Sequence, residues 1–322
     1  MKPIFLGLIG IGRHGSRYLH HLLSVETGGE LIAISRRNQE EGTRLASEYT
    51  LRFYPNYQDL LADSAIQGVL IVTPPSLNLP IALEAIQHGK AVLLEKPLAL
   101  NRSQGRQIVE AATKAKISVM TAQTLRYEPT IRQLQAIAPS LGQWQYLVCT
   151  MRFESGPALP GKNTSRSNYG SLMEFGIHLL DLVRFLTRDE VHSVSADIGR
   201  PTTQDPENQA FIKLVTLRGL PCYLDISRVS QGRVTRAEIM GSKGQASADW
   251  TTNIVRKISG RNEILDYPFP PSATLIDVLR DFCQGIRTGG PMPITAEDGL
   301  RAVEIADACY RSAQTGKSVF LN

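Results

Sequence analysis

The chain has 322 residues, of which 42% are hydrophobic and 20% charged, with a formal net charge of +5. That balance belongs to a soluble globular protein of one large domain or two ordinary ones. No apolar run approaches the roughly 20 residues that span a bilayer, and the Arg and Lys residues form no basic block, so neither a membrane nor a nucleic acid is expected as partner.

Pro3 to Ile9 reads as a strand that starts almost at the first residue, without a signal-peptide pattern. Cys149, Cys222, Cys283 and Cys309 lie far apart and form no CxxC. Core thiols in a reducing cytoplasm are the expected reading, and no metal site is expected. Directly after Ile9 stands Gly10-Ile11-Gly12-Arg13-His14-Gly15, followed by a segment with Tyr18, Leu19, Leu22 and Leu23 at helical spacing. Strand, GxGxxG, helix is the context that a dinucleotide-binding turn requires. Gly10 makes the turn, Gly12 admits a diphosphate, Gly15 lets helix and strand pack, and the helix N-terminus faces the phosphates.

A second strand, Glu30 to Ser35, ends in Ser35-Arg36-Arg37, where NAD-binding folds carry an acid for the ribose hydroxyls. An acid would repel a 2′-phosphate, whereas a hydroxyl and a guanidinium would bind it. NADP(H) is therefore the expected cofactor, with NAD(H) second. Helices over Gln39–Tyr49 and Asp59–Ala62 flank a short strand at Phe53. The strand from Gly68 runs out at Thr73-Pro74-Pro75, and a helix over Leu79–His88 closes on Gly89. Ala91 to Leu94 is a short buried strand that runs into Glu95-Lys96-Pro97. Ligands in open α/β sheets sit beyond the carboxyl ends of the strands, so Lys96 is expected to face one; the competing reading is a surface lysine beside a glutamate. A helix over Ser103–Ala115 and a strand over Ile117–Ala122 complete a parallel sheet covered on both faces.

Past Gln123 the pattern changes. A helix over Thr130–Ala138 precedes β character at Trp144–Phe153, and Gly156 to Gly170 reads as a loop. From Val191 to Ile258 several strand-like runs recur without long helices, as in an antiparallel sheet. Helices over Thr274–Thr288 and Ala296–Thr315 close the chain. The domains expected are 1–122, a dinucleotide-binding domain, and 123–322, an α/β domain for substrate and oligomerisation. Gly170 to Asp181 is the second informative stretch. On one helix Glu174, His178 and Asp181 share a face, and a histidine between carboxylates suits proton transfer. Gly176 costs the helix about 1 kcal/mol relative to Ala, which implies a close approach there.

With both motifs in view the chain resembles the glucose–fructose oxidoreductase/inositol dehydrogenase (Gfo/Idh/MocA) family over essentially its full length. The resemblance rests on Gly10-x-Gly12-x-x-Gly15, Thr73-Pro74, Glu95-Lys96-Pro97, Arg126-Tyr127, Gly170 to Asp181, Gly241-Ser-Lys-Gly244 and Thr295-Ala-Glu-Asp-Gly299. It implies a Rossmann domain followed by an α/β domain on a large, mostly antiparallel open sheet that commonly mediates dimers or tetramers. It implies that Lys96 contacts the substrate hydroxyl and the nicotinamide ribose, and that His178 exchanges the alcohol proton. Glu174 stands where the family usually has Asp, and Asn78 where many members have His.

The expected function is hydride transfer between NADP(H) and a secondary alcohol or ketone of a sugar, cyclitol or similar small molecule. Lys96, His178 and Glu174 are the expected catalytic residues. The cofactor would be held by Gly10, Ile11, Gly12, Arg13, His14, Gly15, Ser35, Arg36, Arg37, Thr73, Pro74, Asn78, Glu95 and Lys96. Arg126, Arg152, Asp181 and, more loosely, Arg166 are candidates for substrate contact. The competing readings are a cofactor-binding regulatory or sensor protein without turnover, and a reductase of a non-sugar substrate such as a tetrapyrrole or a dihydrodiol. A homodimer or homotetramer in the cytoplasm is expected.

Overall fold

In the computed structural model, residues 2–154, 169–200, 205–261 and 263–321 are described. They fall into two compact units. The first begins with alternating strands and helices: β1 (Ile4–Ile9), α1 (Gly15–Ser24), β2 (Gly29–Ser35), α2 (Gln39–Tyr49), β3 (Arg52–Tyr54), α3 (Tyr57–Ala62), β4 (Gly68–Ile71), α4 (Asn78–Gln87), β5 (Ala91–Leu94), α5 (Arg102–Ala115) and β6 (Val119–Thr121). The six strands are parallel, in the order β3-β2-β1-β4-β5-β6. β4 is buried along its whole length, and β5 at every residue after Ala91. That is why their sequences are unbroken apolar runs. Local chemistry fixes the helix ends. The Asn38 and Asn101 side chains accept from the backbone N–H groups of Glu41 and Gln104, each at 3.0 Å, as N-caps, and Gly89 leaves α4 at φ +69°.

The second unit contains α6 (Pro129–Ile137), β7 (Trp144–Glu154), α7 (Ile177–Thr187), β8 (Val191–Gly199), β9 (Gln209–Thr216), β10 (Pro221–Ser230), β11 (Val234–Gly241), β12 (Gly244–Asp249), β13 (Ile254–Gly260), β14 (Glu263–Pro268) and, near the end of the chain, β15 (Val319–Phe320). They form one nine-stranded sheet, β14-β13-β12-β11-β7-β10-β9-β8-β15. Every neighbouring pair is antiparallel except β7 with β10. Burial alternates along the central strands: Leu147, Cys149 and Met151 are buried while Val148, Thr150 and Arg152 are not. α6 and α7 pack on the buried face.

α8 (Thr274–Thr288) returns to the first unit, which takes in residues 273–303 as well as 1–124. It lies on α1, β1 and β2, with Phe282 fully buried. Gly68 makes room for it, since a Cβ there would lie 2.7 Å from the Ile286 side chain. The Thr295–Gly299 stretch is a helix start: the Thr295 N–H donates to Asp298 at 2.9 Å and the Asp298 N–H donates to Thr295 Oγ1 at 3.2 Å. This reciprocal cap opens α9 (Ala296–Thr315). Among the described residues no helix is long and apolar enough to cross a membrane.

Candidate active site

The strand order of the first unit reverses between β1 and β4, and the loop after β1 opens beside that switch point. Gly10 takes φ +93°, and a Cβ there would lie 2.8 Å from the Val72 carbonyl carbon. A Cβ on Gly15 would collide with the Gly10 carbonyl oxygen, whereas one on Gly12 would meet nothing within 4 Å. Two glycines are thus needed by the protein's own backbone, and the third leaves a cradle open. The cradle belongs to a groove of about 580 Å³ whose walls include Gly10, Gly12, Ser35, Arg36, Thr73 and Leu77. Thr73 Oγ1 is buried in that wall with no hydrogen-bond partner among the described residues. A groove of this size, with an open glycine cradle and an unpartnered hydroxyl, fits a dinucleotide.

At the end of β2 the Ser35 carbonyl accepts from the Gly10 N–H at 2.9 Å, which ties the strand end to the glycine turn. Arg36 lies in the groove wall with its side chain 20% exposed and its Nη1 3.6 Å from Glu41 Oε1. Glu41 is also bound by Arg44, at 2.9 Å, and the Arg44 hydrogen bond leads the forces that hold its carboxyl below the usual glutamate value. Arg37 is exposed.

β5 delivers Glu95, Lys96 and Pro97 to the same end of the sheet. Asn78, buried, donates from Nδ2 to the Pro97 carbonyl at 2.8 Å and reaches the Glu95 carbonyl at 3.4 Å. Asn78, one of the residues expected to touch the cofactor, thus pins the Lys96 turn from below through its amide nitrogen, while its Oδ1 is buried without a hydrogen-bond partner among the described residues. The Glu95 carboxylate is likewise turned into the protein. Its Oε1 takes His14 Nε2 at 2.7 Å and the Tyr18 hydroxyl at 2.6 Å, and its Oε2 takes the Lys96 N–H at 3.0 Å. Burial pushes this carboxyl up, but hydrogen bonding and charge from His14, the charge of Lys96 and the Tyr18 hydroxyl outweigh it and hold Glu95 below the usual glutamate value. Lys96 itself is half-buried, and its peptide bond to Pro97 is cis.

Gln123 was not singled out from sequence. Thr121, the last residue of β6, pairs with Leu94, the last of β5, and Gln123 follows in a tight turn, its N–H donating to the Thr121 carbonyl at 2.9 Å. It is 1% exposed, and both side-chain amide atoms lack a hydrogen-bond partner among the described residues. Burial of a carboxamide at a strand's carboxyl end has no sequence signature, because Gln is ordinary in exposed loops.

In the second unit the motif begins at Gly170, where a Cβ would collide with the Glu207 carboxylate. Glu207 accepts from the Leu172 N–H at 3.1 Å and from the Tyr310 hydroxyl at 2.7 Å, and so closes the start of the helix. Leu172–Gly176 is a π-helical turn that runs into α7. Such widened turns recur at functional sites. Here the turn accommodates a close approach: a Cβ on Gly176 would lie 2.8 Å from Ile226 Cδ1. Glu174 is ion-paired with Arg228, whose guanidinium lies over the Phe175 ring. His178 is half-buried on the first turn of α7.

The three candidates for substrate contact are placed differently. Arg126 grips Asp181 with two hydrogen bonds, Nε to Oδ2 at 2.8 Å and Nη2 to Oδ1 at 2.6 Å, and Asp181 is 1% exposed. Arg152 bonds Asp225 at 2.9 Å. Phe153 meets Phe175 of the motif helix edge-on, with ring centroids 4.7 Å apart, so its neighbour Arg152 points to the opposite, helix-free face of the sheet. It is not brought to His178. Arg166 and most of the Gly156–Gly170 loop lie outside the described residues. Among the described residues no group of three His, Cys, Asp or Glu side chains could hold a metal ion.

A parallel sheet with its glycine cradle at the switch point, followed by an α/β unit on a broad open sheet, defines a two-domain dehydrogenase architecture. Residues 4–123 match the family model described as "Oxidoreductase family, NAD-binding Rossmann fold", and residues 160–321 match "Oxidoreductase family, C-terminal alpha/beta domain". The chain belongs to the Gfo/Idh/MocA oxidoreductase family. It is 26% identical to the inositol 2-dehydrogenase of Salmonella typhimurium, with 97% of this chain and 95% of that one aligned. It is 25% identical to the myo-inositol 2-dehydrogenase of Thermotoga maritima, with 98% of each chain aligned. Its fold superposes on the aldose-aldose oxidoreductase of Caulobacter crescentus with a TM-score of 0.88 at 23% identity, covering 99% of this chain and 100% of that one.

Proposed function

We propose that the protein is an NADP(H)-preferring oxidoreductase acting on a secondary alcohol or ketone of a sugar, cyclitol or similar polyol. The observation that carries the reading is the groove at the end of β1 and β2. Gly12 leaves it open to a diphosphate, and Ser35-Arg36 stand in its wall where an NAD-selective acid would be. When bound, the cofactor donates or accepts the hydride. The chain's own residues do the rest. The backbone of Gly10 to Gly15 and the N-terminus of α1 hold the diphosphate, and Arg36 holds the 2′-phosphate by exchanging Glu41 for it. The Lys96 ammonium stabilises the negative charge that develops on the substrate oxygen. The His178 imidazole takes or returns the proton of that hydroxyl. Glu174, tied to Arg228, sets the charge beside the motif helix.

The fact that relatives include enzymes named for inositol supports a polyol substrate. Titration with NADPH and NADH, followed by a turnover screen over cyclitols and aldoses with the preferred cofactor, tests the reading. Tight NADPH binding with turnover of at least one polyol is the expected result. Binding without turnover of any polyol moves the chain to the sensor or non-sugar readings.

A further inference from the structure

Glu95 joins two parts of the first unit that are far apart in sequence. One carboxylate oxygen is bonded to His14, inside the glycine-rich loop, and to Tyr18, on the helix that the loop opens; the other is bonded to the backbone N–H of Lys96. The carboxylate accepts only, so Nε2 of His14 carries the proton and the ring's orientation is set. Glu95 is 7% exposed, so these three protein contacts are the main engagement of its carboxylate. Asn78 pins the same turn from below through the Glu95 and Pro97 carbonyls. A tie that served stability alone could end on any backbone group; this one ends on the amide of the lysine assigned to the reacting oxygen.

We infer that Glu95 is a positioning residue that couples the glycine-rich loop to the Lys96 turn, so that seating of the cofactor diphosphate and setting of the lysine are one event. The inference rests on the reading of the groove as the NADP(H) site. The loop cannot adjust to a diphosphate without carrying the His14 ring. The ring cannot shift without moving the carboxylate that holds the Lys96 amide. Coupling of this kind is reciprocal: whatever loosens the lysine turn weakens the cofactor, and whatever loosens the loop frees the lysine.

Two measurements on the full chain test it. In the first, NADPH is titrated by its fluorescence against wild type, His14→Ala, Glu95→Gln, the double variant and His14→Gln. Each of the first two single changes is expected to weaken NADPH by about tenfold, with the double variant no weaker than either, because both remove the same link. His14→Gln, whose amide nitrogen can reach the carboxylate, is expected to stay within about threefold of wild type. In the second, the cofactor-free protein is acetylated with an N-hydroxysuccinimide ester, and peptide mass spectrometry follows Lys96 against Lys116 as the internal standard. His14→Ala, which removes no atom of the Lys96 turn, is expected to raise the Lys96 rate at least about threefold and leave Lys116 unchanged. Additive losses of affinity, or an unchanged Lys96 rate in His14→Ala, would reduce Glu95 to a structural tie and overturn the inference. A wild-type chain that binds neither NADPH nor NADH, but shows the expected acetylation pattern, overturns the cofactor reading while the coupling stands. A variant that has lost its thermal transition is replaced by His14→Gln and Tyr18→Phe, which keep the shape of the site.

Discussion

Arg126 holds both oxygens of Asp181, at 2.8 and 2.6 Å, and thereby ties the residues that precede α6 to the middle of α7. Arg184 lies 4.0 Å from the same carboxylate. The arrangement is that of a buried ion pair that fixes the motif helix. Asp181→Ala takes the bidentate carboxylate away from a largely buried guanidinium and is expected to cost about 3–5 kcal/mol of stability. Urea denaturation measures this. An unchanged midpoint together with a raised KM would instead return the pair to substrate binding.

Cofactor preference follows from Arg36 and Glu41. Arg36→Asp puts a carboxylate where the 2′-phosphate would sit and is expected to weaken NADPH while strengthening NADH. Glu41→Gln removes the anion that competes for Arg36 and is expected to tighten NADPH without changing NADH. Parallel titrations of both cofactors give the two ratios, and an NADH preference in wild type would contradict the assignment.

Lys96→Ala is expected to slow turnover by about 10²–10³, as loss of a preorganised charge does. His178→Ala is expected to slow it by about 10²–10⁴, the range of general acid–base catalysis. NADPH affinity is expected to change little in His178→Ala, which lies outside the dinucleotide-binding unit. Single-turnover kinetics with saturating NADPH separates the chemical step from binding.

The helix-free face of the large sheet carries Phe211 and Tyr223 at 52% and 43% exposure, with Tyr146 edge-on to Tyr223 at 6.5 Å and the Arg152–Asp225 pair beside them. An exposed aromatic patch on an uncovered sheet face is the kind of surface that association between copies of the chain would cover. Light scattering is expected to give a mass near two or four times 35.5 kDa, and Phe211→Lys is expected to lower it.

All four thiols are buried and free. Burial pushes Cys283 up to about 11 and Cys222 up to about 12, and raises Cys149 and Cys309 as well. A raised folded value means that stability is intact below the ordinary thiol value of about 8.5 and falls as pH rises above it, because the unfolded chain ionises first. Denaturation midpoints are expected to drop between pH 8.5 and 11. The native protein is expected to resist a disulfide thiol reagent at pH 8 that titrates all four groups once it is unfolded.

The parallel sheet was legible in the sequence because its strands are buried on both faces and their side chains say so. Val69 to Ile71 and Val92 to Leu94 admit no polar residue, and the glycine spacing after Ile9 is demanded by local backbone geometry. Lys96 and His178 stood out for the same reason, as charged or titratable groups at the end of an apolar run or on an apolar helix. β12 to β14 carry less signal, since one face of β12 and β13 and both faces of β14 meet solvent and alternation in short strands is weak. The return of α8 to the first unit had no local signal, because an amphipathic helix does not name the surface that will bury it.

The charged partners around the two motifs were decided by tertiary structure. Glu95 and His14 are 81 positions apart, and Arg126 and Asp181 are 55 apart. The sequence determined that carboxylates, an imidazole and guanidiniums would be present near the two motifs. Which of them pair with one another depended on the folded chain, where a buried charge is tolerated only beside its counterpart.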